Sequence, residues 1–288
     1  MAKPTICVLH PGEMGSAVGR AARTAGARVL WSSTGRGEAT RRRAAEAGLE
    51  DAGTLAAALG AAEIALSVCP PHAALDVARS VAAQGFRGLF VDANAVAPEK
   101  ARRLAAIVEG AGARFVDGGI VGPPPSAGSS TRLYLSGEGA RRVAELFEGT
   151  PLGTIVLDAP VGAASAVKMC YAAWTKGSAT LLLAVRTLAE TEGVDAALAE
   201  EWRISKPDLF RQLDRAVVQS RKAWRWIGEM EEIAATFAEA GLPEGFHLAA
   251  AEICRRLESF KDARGTTLEE LVAALRAATA KKPVSAAS

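Results

Sequence analysis

A glycine turn, a strand-end asparagine and one lysine near the start of a long helical run are best placed, by type and spacing, to do chemistry. The chain opens with the apolar run Thr5–Leu9, which enters His10-Pro11-Gly12-Glu13-Met14-Gly15 and passes straight into the helical pattern Ser16-Ala17-Val18-Gly19-Arg20-Ala21-Ala22. Strand, turn and helix in that order form a setting in which a dinucleotide pyrophosphate binds. Glycine lets the backbone approach the phosphates, and helix N–H groups point at them. His10, Pro11, Gly12, Glu13, Met14 and Gly15 are therefore candidate cofactor-binding residues. The fingerprint is incomplete, because His10 stands where the usual G-x-G-x-x-G has its first glycine.

In open parallel sheets, ligands bind beyond the carboxyl ends of the strands, so each further strand end is a candidate. After the second strand a NAD site places an acid on the adenosine ribose; this chain offers Trp31-Ser32-Ser33-Thr34-Gly35-Arg36. Ser33, Thr34 and Arg36 would bind a 2′-phosphate, so NADP(H) is favoured over NAD(H), although an ordinary polar loop has the same composition. The next strand runs into Cys69-Pro70-Pro71-His72, where the proline pair ends the strand and stiffens the loop beside the cofactor. His72 reads as a cap or packing residue at the following helix start, with a catalytic role as the alternative. Asn94, in Asp92-Ala93-Asn94-Ala95, could hydrogen-bond the nicotinamide or the substrate, or only satisfy backbone. The glycines of Asp117-Gly118-Gly119-Ile120-Val121-Gly122-Pro123 allow a ligand close to the main chain.

Lys168 lies one or two turns into the long helical run, beside Gly162, Ala163, Ala164, Ser165 and Ala166. A cation among small apolar residues near a helix start is disfavoured by the dipole and by desolvation, which is what an acid/base lysine near neutral pH requires. The residues alone fit a surface lysine with its stem along apolar surface better.

The elements that must position these groups follow from periodicity. Strands are expected at Thr5–Leu9, Arg28–Ser32, Ile64–Val68, Gly88–Asp92 and Arg114–Asp117, with helices around Gly15–Ala25, Glu38–Ala47, Ala73–Ala83 and Pro98–Glu109. Alternating strands and helices indicate βαβ units and a parallel Rossmann-type sheet. Strands Arg132–Leu135 and Gly153–Leu157, flanking a helix from near Glu138, would extend it. From Gly162 to about Glu192 there is no proline, and apolar residues recur at helical spacing, so one helix of roughly thirty residues is expected. Helices follow at about Ala196–Trp202, Lys206–Ala223, Trp226–Ala240, Glu244–Ser259 and Thr267–Ala278. The predicted class is an α/β domain over residues 1–160 joined through the long helix to an all-α domain over 161–288, with a fraying tail at Ala280–Ser288.

Composition excludes several classes. A formal net charge of +2 over 288 residues argues for neither a nucleic-acid partner nor a membrane surface. Cys7, Cys69, Cys170 and Cys254 are scattered and the three histidines do not cluster, so no metal and no disulfide framework is expected. With no signal peptide and no run of about eighteen apolar residues, a cytoplasmic protein is expected.

Taken in order, these pieces resemble the β-hydroxyacid dehydrogenase superfamily, which includes 6-phosphogluconate dehydrogenase and the imine reductases. His10–Gly15 is similar to its G-x-G-x-M-G turn, Asp117–Gly122 to its D-A-P-V-S-G substrate segment, and Gly162–Met169 to its G-x-x-x-x-x-K helix. More narrowly, the first of these, Cys69–His72 and Gly228-Glu229-Met230-Glu231-Glu232-Ile233 look like a poorly characterised branch with its own helical C-terminal domain. The resemblance implies that Lys168 is the acid/base, that Asn94 helps position the reacting groups, and that Gly119, Ile120, Val121 and Gly122 face the substrate. Three family contacts are altered: Val121 replaces the substrate-binding Ser, Ala172 an Asn, and Gly228-Glu229 a Lys-Asp pair. A more apolar pocket with Tyr171, Trp174, Glu229 and His247 as liners is implied, Tyr171 being a candidate second proton donor. The expected function is hydride transfer between NADP(H) and a small alcohol or carbonyl substrate in the interdomain cleft. The alternatives are imine reduction and a non-catalytic dinucleotide-binding protein. A homodimer is expected, since relatives bury the long helix against a second copy.

Overall fold

A computed structural model of the chain describes residues 4–279. The first unit, ending at Tyr171, carries an eight-stranded sheet. Its strands are β1 (Thr5–Val8), β2 (Arg28–Trp31), β3 (Glu50–Asp51), β4 (Ile64–Ser67), β5 (Leu89–Asp92), β6 (Arg114–Val121), β7 (Arg132–Ser136) and β8 (Gly153–Val156). The helices of this unit are α1 (Glu13–Thr24), α2 (Glu38–Glu46), α3 (Leu55–Gly60), α4 (Ala74–Ala83), α5 (Pro98–Gly110), α6 (Ala140–Glu145) and the start of α7 (Ala163–Thr191). The strand order is β3-β2-β1-β4-β5-β6-β7-β8; β1 to β6 are mutually parallel, and β7 and β8 run the other way.

Two cores lie on opposite faces of this sheet because successive strand residues point to opposite sides. Ile6 and Val8 of β1 join Val18, Ala21 and Ala22 of α1 on one face, while Cys7 joins Ala65, Phe90 and Phe115 with α4 and α5 on the other. Central strands buried on both faces explain why β4 and β5 read as continuous apolar runs.

The second unit, from Ala172, consists of helices joined by short loops, with no strand among its described residues. It holds the rest of α7, then α8 (Asp195–Ser205), α9 (Asp208–Gln219), α10 (Ala223–Glu239), α11 (Gly245–Arg256) and α12 (Leu268–Thr279). Its core is built from Leu182 and Leu183 of α7, Leu213, Trp226, Cys254, Leu271 and Leu275. Arg186 of α7 grips Asp195 of α8 with two bonds of 2.7 and 2.6 Å.

The expected strands and helices are present within a few residues, with departures that have clear causes. β3 and α3 lie outside the expected pattern; β3 is two exposed acids and carries no apolar signature. β6 continues through Val121 because β7 pairs antiparallel to its far half, so the sheet is not wholly parallel. The helix expected from Lys206 to Ala223 is shorter: α9 ends at Gln219 and a 3₁₀ turn leads into α10. Two compact units meet within α7, the first ending at Tyr171 and the second beginning at Ala172. The tail at Ala280–Ser288 lies outside the described residues.

Candidate active site

The strand order reverses between β1 and β4, and such a switch point opens a crevice beyond the strands' carboxyl ends. β1 leaves the sheet at His10 and turns into α1, with Gly12 N donating to His10 O at 2.9 Å. A Cβ on Gly15 would lie 2.1 Å from His10 O, so only glycine lets the first turn of α1 seat on the exit carbonyl of β1. Nothing stands within 4 Å of where a Cβ on Gly12 would be, which leaves the turn open to a ligand. His10 Nδ1 is buried without a hydrogen-bond partner. Burial, with help from the Arg36 charge, pushes the imidazole down to about 4, so it is neutral and able to donate or accept. An open turn, a helix N-terminus and an orphaned imidazole nitrogen together fit a pyrophosphate.

At the exit of β2, Ser33 is buried while Thr34 and Arg36 are more open. Thr34 Oγ1 donates to Gly53 O at 2.9 Å, and Arg36 Nη2 reaches back to Leu9 O at 3.2 Å. Two further groups enter through the fold. Arg41 on α2 donates to Ser33 O (2.9 Å) and to Arg36 O (3.1 Å). Asp51, at the end of β3, accepts from the Ser33 side chain and from Gly53 N, and these bonds with Arg41 nearby hold its carboxyl below the usual range. The loop after β2 thus has two arginines and one carboxylate around it, where sequence order alone shows no acid.

At the exits of β4 and β5 the chain is tied together by Asn94, which is 2% exposed. Its Nδ2 donates to Ser67 Oγ (3.0 Å) and to Asp92 Oδ1, and its Oδ1 accepts from Cys69 N. Asn94 therefore holds the Cys69-Pro70-Pro71 loop against β5. Cys69 is buried, and burial followed by the Asp92 charge pushes its thiol up to about 12. Pro70 and His72 are exposed on this loop.

β6 and α7 position the lysine. Asp117 is fully buried and ties the start of α7: its Oδ2 accepts from Ser136 Oγ (3.0 Å), Gly162 N (2.9 Å) and Ser165 N (3.0 Å), and its Oδ1 from Ser165 Oγ (2.6 Å). Ser136 Oγ in turn accepts from Ala164 N at 3.1 Å. The orphan N–H groups of a helix start are thus met by side chains from β6 and β7. A Cβ on Gly119 would lie 2.5 Å from Ala164 O and 3.0 Å from Lys168 Cβ, so α7 rests directly on the β6 backbone at the root of Lys168. Ile120 and Val121 are buried strand residues, and Gly122 is exposed beyond them.

On α7, Tyr171 at the end of the first unit is 47% exposed and Trp174 in the second is 75% exposed. Glu229 on α10 forms an ion pair with Lys176, a second α7 lysine that also lies 5.4 Å from the centre of the Trp226 ring. Nothing in the local sequence singles out Lys176, whose partner is 53 residues away. His247 is buried with Nδ1 unpartnered, packed edge-on to Phe237 at 4.6 Å and over Gly177; burial lowers its pKa. No cluster of three or more His, Cys, Asp or Glu able to hold a metal occurs among the described residues, and no described helix is long and apolar enough to cross a membrane.

Comparison with known proteins places this geometry. A family model described as the NAD binding domain of 6-phosphogluconate dehydrogenase matches residues 5–150, and one described as a domain of unknown function, DUF1932, matches residues 189–257. An uncharacterized 28.5 kDa protein of Methanothermus fervidus is 28% identical over 176 residues, covering 59% of this chain and 67% of that protein. Among solved structures, a conserved protein of unknown function described as similar to 3-hydroxyacid dehydrogenases is 25% identical, with TM-score 0.66 over 89% of this chain and 98% of that one. The 3-hydroxyisobutyrate dehydrogenase of Mycobacterium tuberculosis shares the fold at 18% identity, with TM-score 0.69 over 95% and 99% of the two chains. A reductive aminase of Aspergillus terreus shares it at 21% identity, with TM-score 0.55 over 94% and 99%.

Proposed function

The chain belongs to the 6-phosphogluconate dehydrogenase-like family of NAD(P)-dependent oxidoreductases, and from that membership we propose that it moves a hydride between NADP(H) and a small alcohol or carbonyl substrate. The observation that carries this reading is the seat of Lys168: the helix bearing it is tied to β6 by Asp117 and rests on Gly119, at the carboxyl end of the sheet. Bound nicotinamide supplies or accepts the hydride. Lys168 Nζ moves the proton, donating it to the carbonyl oxygen during reduction and taking it from the hydroxyl during oxidation. The first turn of α1 and His10 would hold the pyrophosphate, and the Cys69–Pro71 loop, fixed by Asn94, would wall the nicotinamide. Val121 and Gly122, at the end of β6, would lie toward the substrate, whereas Gly119 is covered by α7 and Ile120 sits in the core. Because Val121 has no hydrogen-bonding side chain, the substrate contact there is apolar.

The preference for NADP(H) is supported by Arg36 and Arg41 around Ser33 and Thr34, two cations against the single Asp51, whose carboxylate is already engaged. Imine reduction is the second reading, favoured by the apolar Val121 and by Tyr171 beside Lys168 on α7. A non-catalytic dinucleotide-binding role would show as tight NADPH binding with no turnover on any carbonyl, alcohol or imine.

The test is Lys168→Ala, assayed by NADPH fluorescence for binding and NADPH absorbance for turnover on panels of 3-hydroxyacids and cyclic imines. Turnover should fall by about 10²- to 10⁴-fold, the usual contribution of a positioned acid/base, while cofactor affinity stays within about twofold. NADPH should bind more tightly than NADH. Full activity of the variant removes Lys168 from the mechanism, and the panel decides between C=O and C=N chemistry.

A further inference from the structure

Two buried carboxylates, Asp92 at the end of β5 and Asp117 on β6, are partners in register across the strand pair. Both are fully buried, yet they engage different parts of the candidate site. Asp117 accepts every bond it makes: from Gly162 N, Ser165 N and Ser165 Oγ at the start of α7, and from Ser136 Oγ. An acceptor-only pattern from four donors suits a carboxylate anion, and its position at the first turn of a 29-residue helix suits the helix dipole. Asp92 instead faces the loop side. It accepts from Asn94 Nδ2 and, at 3.3 Å, from Asn94 N, and Asn94 carries the bond onward to Cys69 N and Ser67 Oγ.

We propose that these adjacent carboxylates are separate positioning residues for one reaction: Asp117 sets the helix that carries Lys168, and Asp92, through Asn94, sets the Cys69–Pro71 loop against the cofactor. The inference rests on the oxidoreductase reading for its consequence on turnover, though the two tethers themselves do not depend on it. Burial makes the division workable. Two like charges side by side in the interior repel, and burial together with the Asp117 charge pushes Asp92 up to about 8. Of the neighbouring groups, Cys69 on the β4 loop feels the charge of Asp92, the root of Lys168 stands over Gly119, and Arg102, paired with Glu99 on α5, stands beside Gly162.

Local hydrogen exchange separates the two roles, because each tether ends on identifiable amides. In Asp117→Asn, protection should drop over residues 162–166 and stay unchanged at Cys69. Turnover should fall by about 100-fold, as expected for a misplaced reacting group, with NADPH affinity kept. In Asp92→Ala the pattern should invert: exchange rises around Cys69 and Asn94, NADPH binding weakens by about tenfold, and residues 162–166 stay protected. Asp92→Asn, a neutral isostere, should restore cofactor affinity. If Asp117→Asn does not fold, Ser165→Ala, which removes one of the four bonds, carries the same test in milder form. Unchanged exchange at 162–166, or the same diffuse loss of protection in both variants, overturns the proposal. The expected exchange pattern with undiminished turnover in Asp117→Asn supports the tethers and instead sinks the assignment of Lys168.

Discussion

Asp92 shows how much a single buried group can bring to this fold and at what pH. Its ordinary carboxyl value of 3.8 rises to about 8, burial being the larger cause and Asp117 the second. A raised folded pKa means that the native state holds a proton which the unfolded chain releases. The associated stability is complete below about pH 4 and is lost progressively as pH rises through about 8. Within that window one such group costs up to about 1.4 kcal/mol per pH unit. Asp92→Asn removes the titration while keeping the side chain's shape. Thermal unfolding at pH 5 and pH 9 should therefore show a smaller drop in Tm for the variant than for the wild type. An equal drop in both proteins would mean that Asp92 is already ionised at neutral pH.

Among the elements, β6 and α7 form the pair on which the candidate chemistry turns, and Gly119 is where they touch. A methyl group there would press on Ala164 O at 2.5 Å, a backbone atom with no rotamer to escape into. Gly119→Ala should lower stability by about 1–3 kcal/mol through overpacking, and should reduce turnover more than NADPH binding, since α1 and the β2 loop are untouched. Gly60, with open space around it at the end of α3, is the control: Gly60→Ala should leave both unchanged. This pair also marks the limit of what the amino-acid order discloses. The apolar periodicity of β1, β4 and β5 and the long proline-free run of α7 are local, so the elements and the glycine turn at Gly12 are legible. Asp117 was legible only as part of a glycine-rich strand end; its partners Gly162 and Ser165 lie 45 and 48 residues downstream. Asp51 reaches Ser33 only because β3 pairs with β2, and β3 is too short and polar to announce itself. Lys176 and Glu229 are likewise joined only by helix packing.

For the whole molecule, the outer side of α7 raises a question that the packing of one chain does not answer. Trp174, Leu181 and Leu188 are 75%, 59% and 59% exposed, and Tyr171 extends the row. The spacings of three, seven and seven residues put them along one stripe of a long helix, the pattern of a seam between helices rather than of a solvated face. Scattered surface leucines need no explanation, but a contiguous apolar stripe rimmed by polar positions marks an interaction surface. A second copy of the same chain is the simplest occupant, because a two-fold axis lets one stripe cover its own image. Sedimentation equilibrium at micromolar concentration should accordingly give twice the chain mass. Trp174→Glu combined with Leu181→Glu should bring it to a single chain without loss of helical signal, since neither side chain belongs to the core of its unit. A wild-type mass equal to one chain would leave the stripe to some other partner and remove the dimer from the account of this protein.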